Sequence, residues 1–108
     1  MVLPSTHLSI VYCPFPDRES AVTVARILVN EGLAACVQCL PPIESIYRWQ
    51  GQVEQAIEVP LLAKVAPGKS IGARARIAEL HPYDLPAVVS WSADCAPDLA
   101  DWADGQAA

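Results

Sequence analysis

The sequence is poor in positive charge, in histidine and in aromatic residues. Lys plus Arg number 7 against 12 Asp plus Glu, a formal net charge of −5, with two His, three Trp, three Tyr and one Phe. No basic run exists, so nucleic acid and anionic membrane surfaces are not expected partners. No apolar run approaches the ~18 residues of a membrane-spanning helix. Met1 to His7 shows no positive region followed by an apolar stretch, so no secretion signal is expected and the cytoplasm is the expected compartment. Gly-rich phosphate loops, HExxH, GxSxG and nucleotide fingerprints are missing. Two histidines, without a supporting pattern, do not make an acyl-transfer triad. Four cysteines are too few for a disulfide scaffold and are expected as reduced thiols.

What is abundant is apolar surface, 53% of 108 residues. That suits one domain over residues 1–108 with a real core. A small chain this apolar struggles to hide it all internally. One reading is simply an Ala- and Val-rich core; the other is one face hidden against copies of the chain.

Leu8 to Cys13 reads as a central strand, closed by Pro14 and Pro16. Asp17 to Glu31 reads as a helix, with Asp17 as N-cap and Gly32 as the left-handed stop. Its apolar stripe is Ala21, Val24, Ala25, Leu28 and Val29, with Arg18 and Arg26 off the stripe. Leu33 to Ile46 reads as a strand bent at Pro41-Pro42. A turn centred on Gly51 follows, then a strand from Val53 to Val65 by period-two alternation, giving a long hairpin. Pro60 predicts an edge, a bulge or an unpaired position. Lys69 to Leu80 reads as a second helix, with Ile71, Ala75, Ala78 and Leu80 apolar and Arg74 and Arg76 solvated. Ala87 to Trp91 is a last strand, and Pro97 opens a short helix through Trp102. The order β-α-β-β-α-β predicts an α+β, ferredoxin-like sandwich with a short C-terminal helix. Both helices cover one sheet face, and the bare face is expected to meet other copies.

Cys36 and Cys39 form a CxxC, which suits soft metals or redox chemistry when it opens a helix. On a strand, side chains three apart point to opposite faces. Two structural thiols is therefore the favoured reading. Cys13 ends the first strand before the Pro-Phe-Pro loop, and His81 ends the second helix. Each alone reads as a packing residue or a helix-end histidine; together they are a sulfur and an imidazole suited to copper or zinc. A third donor would have to come from a neighbour, water or a carboxylate such as Asp84. His7 reads as a solvated terminal residue. Tyr47 and Trp49 at the hairpin tip read as interface anchors over a ligand platform. Arg48 suits an anion or a salt bridge to Glu44 or Glu54. Trp91 and Trp102 read as packing.

Several segments together resemble the CutA divalent-cation tolerance family. They are Leu33-Ala34-Ala35-Cys36-Val37, Ser45-Ile46-Tyr47-Arg48-Trp49-Gln50-Gly51, Glu58-Val59, Lys64, His81-Pro82-Tyr83 with Pro86, and Asp101-Trp102. The resemblance spans roughly residues 8 to 102. It implies a ferredoxin-like subunit in a homotrimer similar to PII signalling proteins, tolerance of divalent metals, copper binding, and no catalysis. By position it implies Cys13 and His81 as the copper ligands, with Cu(2+) or another divalent cation as the bound ion. Leu80 stands where some members carry a second histidine, and Ala87 where many carry a glutamate. The alternative is a PII-like signalling or scaffolding trimer that takes a small ligand or a protein partner in the clefts between subunits.

Overall fold

A computed structural model describes residues 6–107. Five strands and three helices follow in the order β1 (His7–Phe15), α1 (Arg18–Asn30), β2 (Cys36–Cys39), β3 (Ile43–Trp49), β4 (Gln52–Val65), α2 (Ser70–Leu80), β5 (Val89–Asp94) and α3 (Pro97–Gly105). A 3-10 turn, Pro67–Lys69, leads into α2. The sheet is antiparallel in the order β2-β4-β1-β5, and β3 also lies on β4. The strand expected over residues 33–46 is two strands, β2 and β3. They share the long β4 as partner and part at Leu40, Pro41 and Pro42. The architecture is the α+β, ferredoxin-like sandwich with a terminal helix.

Asp17 caps α1 as its sequence position predicts, its carboxylate accepting from the Ser20 N–H at 2.8 Å. Ala21, Val24, Ala25 and Leu28 are buried, but Val29 is not. Gly32 takes φ 71°, the left-handed stop. In α2 the expected stripe holds only at Leu80, which packs against the core. Ala73 and Ile77 are buried one turn apart, and Ile71 is 74% exposed. Apolar spacing in an 11-residue Ala-rich helix left two faces nearly equivalent, and tertiary contact chose the other one.

Residues paired across the ladder share a face. Val11, Cys13 and Phe15 of β1 stand with Ala63, Leu61 and Val59 of β4 on the face under α1 and α2, and all belong to one buried core. Leu8, Ile10 and Tyr12 point to the opposite face, with Trp91 and Val89 of β5 beside Ile10 and Tyr12. That face is not wholly bare, contrary to expectation. Helix α3 packs on β1, Leu8 is buried, and Ala100 and Ala103 of α3 are buried with it. Trp91 and Val89 remain about half exposed. So does Trp102, so neither tryptophan is the buried packing residue expected of it.

Pro60 is fully buried in the middle of β4 and lies opposite Pro14. Neither proline has an N–H, so this pair must occupy a position where the two strands exchange no hydrogen bond. The polar groups of both then point outward from the pair. On the β4 side this direction meets the break between β2 and β3. There the Leu40 N–H donates to the Pro60 carbonyl at 2.9 Å, and no return bond is required of Pro60. The expected unpaired position is thus one-sided and interior.

Beyond the end of β1, β3 and the first half of β4 run on as an arm. The molecule measures 55 × 24 × 22 Å. Gln50 at φ 50° and Gly51 at φ 80° join the arm's strands, consecutive left-handed residues that match the twist of a two-residue hairpin.

Candidate functional site

Pro14 also organises the other side of β1. Its carbonyl points away from β4, toward the β5 side, but β5 pairs with β1 only as far as Tyr12. The imidazole of His81 takes the vacant place. His81 follows α2 in extended conformation, at φ −70° and ψ 141°, which turns its ring inward. Its Nε2 lies 2.8 Å from the Pro14 oxygen. A carbonyl can only accept, so Nε2 carries the hydrogen. The Tyr83 N–H donates to Nδ1 at 3.0 Å, so Nδ1 offers its lone pair there. The partners therefore assign a neutral, Nε2-protonated imidazole with both nitrogens engaged. The ring is 7% exposed. It stacks against Phe15 with centroids 4.3 Å apart and against Tyr83 at 4.8 Å.

The Cys13 thiol meets the same oxygen, donating at 3.5 Å. The structure thus brings Cys13 and His81 together about one carbonyl. Burial, and then the negative charge of Glu58, push the Cys13 thiol up to about 12, so it is a neutral S–H at physiological pH. Glu58 is itself buried and accepts from the Tyr83 hydroxyl at 3.1 Å. Burial and that hydrogen bond raise the Tyr83 phenol to about 12. Cys13, Glu58, His81 and Tyr83 form one hydrogen-bonded and packed knot at the loop after α2, with Tyr83 still 40% exposed.

In its present bonding state this donor set offers no preformed centre for a metal ion. A closed centre needs three or four donors with free lone pairs, and thiol ligands must be deprotonated. Here the imidazole has none to spare and the thiol is protonated. Asp84 is exposed, and no group of three or more His, Cys, Asp or Glu able to hold a metal exists among the described residues.

Sequence reasoning missed Glu58 and Tyr83 as members of this knot. The signal was present, since both lie in the segments that carry the family resemblance. Pro14 had no signal, because a carbonyl's direction depends on ladder register.

Cys36 and Cys39 stand on opposite faces of β2, as strand geometry requires. Cys39 packs against the core edge, and all four cysteines are free thiols. His7 is not simply solvated, since its Nε2 lies 3.1 Å from Asp94. Of the two readings of Arg48, the salt bridge is not formed to any described residue; Glu44 accepts from Gln55 instead, at 3.4 Å. Arg76 is not merely solvated. Its guanidinium meets Glu31 at 2.9 and 2.8 Å and also Glu79, tying α2 to the end of α1.

On the arm, register places Tyr47 and Trp49 on one face with Glu54 and Gln52. Ile46, Val53 and Ile57 share the other face with Arg48, and are 69%, 65% and 59% exposed. Large apolar residues on both faces of a thin projection call for cover that this chain does not supply.

A ferredoxin-like fold with an exposed apolar arm and a His-Tyr-Glu-Cys knot is the class defined by these observations. The model of the CutA1 divalent ion tolerance protein family matches residues 9–106. A divalent-cation tolerance protein CutA of Thermus thermophilus is 42% identical over 81 residues, 75% of this chain and 79% of that protein. The crystal structure of a Thermus thermophilus protein of the same description superposes with TM-score 0.88 at 36% identity, covering 94% of this chain and 99% of that one. An Archaeoglobus fulgidus structure described as a periplasmic divalent cation tolerance protein CutA gives 0.87 at 29% identity, covering 93% and 97%. The chain belongs to the CutA1 divalent ion tolerance family.

Proposed function

We propose that this chain is the subunit of a non-catalytic homotrimer that serves divalent-cation tolerance, with copper or another divalent cation as the ion it responds to. The observation that carries the assembly is the arm. Ile46, Val53 and Ile57 on one side, and Tyr47 and Trp49 on the other, are apolar groups that water would wet in a lone subunit. Trp91 and Val89, half exposed on the sheet face away from α1 and α2, add to it. Aromatic and aliphatic groups of this kind are the usual anchors of an interface. Three copies of an 11.6 kDa chain make about 35 kDa. Light scattering at micromolar concentration is expected to read that mass, and a reading near the single-chain mass refutes the assembly.

For the ion, Cys13 and His81 are the proposed donors, being the sulfur and imidazole that share the Pro14 oxygen. Binding at this pair has to displace the Tyr83 N–H from Nδ1 and release the thiol proton, so weak affinity that rises with pH is expected. Copper titration of the Cys13→Ala, His81→Ala double variant should show that binding lost. A titration matching the unsubstituted protein removes the pair from the site. The cytoplasm is proposed as the compartment, supported by four unpaired thiols. Cell fractionation tests it.

The closed bonding of His81 favours a second reading. If the knot stays shut, the trimer is a PII-like signalling or scaffolding assembly with a small ligand or partner between subunits, and metal is incidental. A thermal-shift screen separates the two. A ligand at 100 times its Kd adds ~2.7 kcal/mol, and the reading that wins is the one whose ligand shifts the transition.

A further inference from the structure

The knot leaves one carboxylate oxygen unused. Glu58 is only 8% exposed, and its Oε2 accepts from the Tyr83 hydroxyl at 3.1 Å. Its Oε1 has no hydrogen bond to any described residue. Among the described residues no sealed side-chain nitrogen or oxygen lacks a partner, so Oε1 reaches solvent. A carboxylate under nearly complete cover, open at one oxygen, is a built acceptor for a cation.

Register shows what lies beside that opening. The rungs Ile43–Glu58, Ser45–Ala56 and Tyr47–Glu54 share one face of the arm. Ser45 and Ala56 are the smallest side chains on it, so the face dips between its two ends. At about 3.3 Å per residue, the Tyr47 rung stands about 13 Å from the Glu58 rung. Tyr83 closes one end of the dip and Tyr47 the other, 40% and 44% exposed. After burial and the bond to Glu58, the charges of Tyr47 and Asp17 also hold the Tyr83 phenol up, so both groups lie near it. No Lys or Arg stands on this face of the arm.

The donors select the kind of cation. A closed metal centre needs three or four donors, and one free carboxylate oxygen does not make one. An ammonium ion needs only a carboxylate and the faces of aromatic rings. We propose that the notch between Tyr47 and Tyr83 binds a primary alkylammonium ion, with its ammonium on Glu58 Oε1 and its short aliphatic chain over Ser45 and Ala56. This gives a ligand class to the second reading above and rests on it, since Tyr47 lies on the arm that the proposed assembly brings to a cleft between subunits.

The test uses the intact assembled protein, isotope-labelled, with n-butylammonium chloride as the probe. Matched sodium chloride and n-butanol are the controls. Saturable amide shifts at Ser45, Ala56 and Tyr83 are expected with n-butylammonium alone. Glu58→Gln keeps the size of the side chain and an acceptor for the Tyr83 hydroxyl. It should weaken binding roughly tenfold, the size of one hydrogen bond to a charged group. Tyr47→Leu, on the exposed arm, should weaken it roughly threefold through the lost ring face. No saturation at millimolar n-butylammonium overturns the proposal. So does equal binding of n-butanol, or a folded Glu58→Gln variant that keeps the unsubstituted affinity. If Glu58→Gln does not fold, Tyr47→Leu decides, and an unchanged affinity there overturns the proposal. Light scattering on the same sample reads the assembly separately. A trimer that ignores n-butylammonium overturns this proposal and leaves the second reading standing, whereas a single-chain mass overturns that reading.

Discussion

His81→Ala separates a structural histidine from a mere ligand. The substitution removes two hydrogen bonds, to the Pro14 carbonyl at 2.8 Å and from the Tyr83 N–H at 3.0 Å. A net bond is worth about 1 kcal/mol, and orphaned groups under cover cost at least that. It also removes ring contacts to Phe15 and Tyr83, at 4.3 and 4.8 Å, worth about 0.5 kcal/mol each at the low end. The expected loss is about 3 kcal/mol, a large share of the roughly 5–15 kcal/mol that holds a domain together. Urea unfolding is the assay, at one fixed protein concentration because the proposed assembly would contribute to the transition. The midpoint should fall with the slope unchanged. The loop after α2 should also exchange its amides faster, the Tyr83 N–H first. A loss under 1 kcal/mol, with copper affinity the only property altered, refutes the structural account of His81.

Gly72→Ala should stabilise the protein by up to ~1 kcal/mol. The new Cβ meets only the Leu33 Cδ2, at an ordinary 3.5 Å, and thermal unfolding at matched concentration reads the gain. Hydrogen bonds from Arg76, with its positive charge, hold the Glu31 carboxyl below its ordinary range. A depressed carboxyl contributes stability above its unfolded pKa and loses it as pH falls through the folded one. The Glu31 midpoint should therefore rise in Arg76→Ala, and acid sensitivity should shift with it; an unmoved midpoint by NMR titration refutes the pairing. Cys13, pushed up to about 12, should resist iodoacetamide at pH 8 in the native protein and react once unfolded. A thiol raised above its ordinary value stabilises below about 9 and loses that contribution as pH climbs toward about 12. Native alkylation at the rate of an exposed thiol refutes its burial.

The sandwich was legible because its signals are local. Asp17 and Gly32 punctuate α1, the alternation of Val53 to Val59 declares β4, and Gly51 declares the turn. What failed was decided by contacts between distant residues. Nothing within α2 says that Ala73 and Ile77, not Ile71, meet the sheet. Leu8 looked uncovered because the reach of α3 back to β1 has no periodic signature. The site was half legible. Cys13 and His81 are indeed gathered, but their bonding state was invisible, since it depends on which way one carbonyl points. Trp91 and Trp102 were misjudged for a different reason. Aromatic residues look like core in a sequence, whereas both stand about half exposed on this chain.

The paired prolines connect these observations. Opposite one another, Pro14 and Pro60 demand no hydrogen bond between β1 and β4 at that rung. Pro60 turns its missing donor toward the β2–β3 break, where none is needed. Pro14 turns its carbonyl toward the end of β5, where one donor is lacking, and His81 supplies it. Substituting Pro14 would give that rung an N–H with no strand opposite it, while leaving the carbonyl and its histidine in place. The imidazole is therefore bound into the sheet's own hydrogen-bond accounting before any ion arrives. An ion that captured Nδ1 would free the Tyr83 N–H, and a shift of that loop would also loosen the tyrosine's hold on Glu58. An ion taken at Nδ1 and the Tyr83 N–H bond to that nitrogen are thus mutually exclusive.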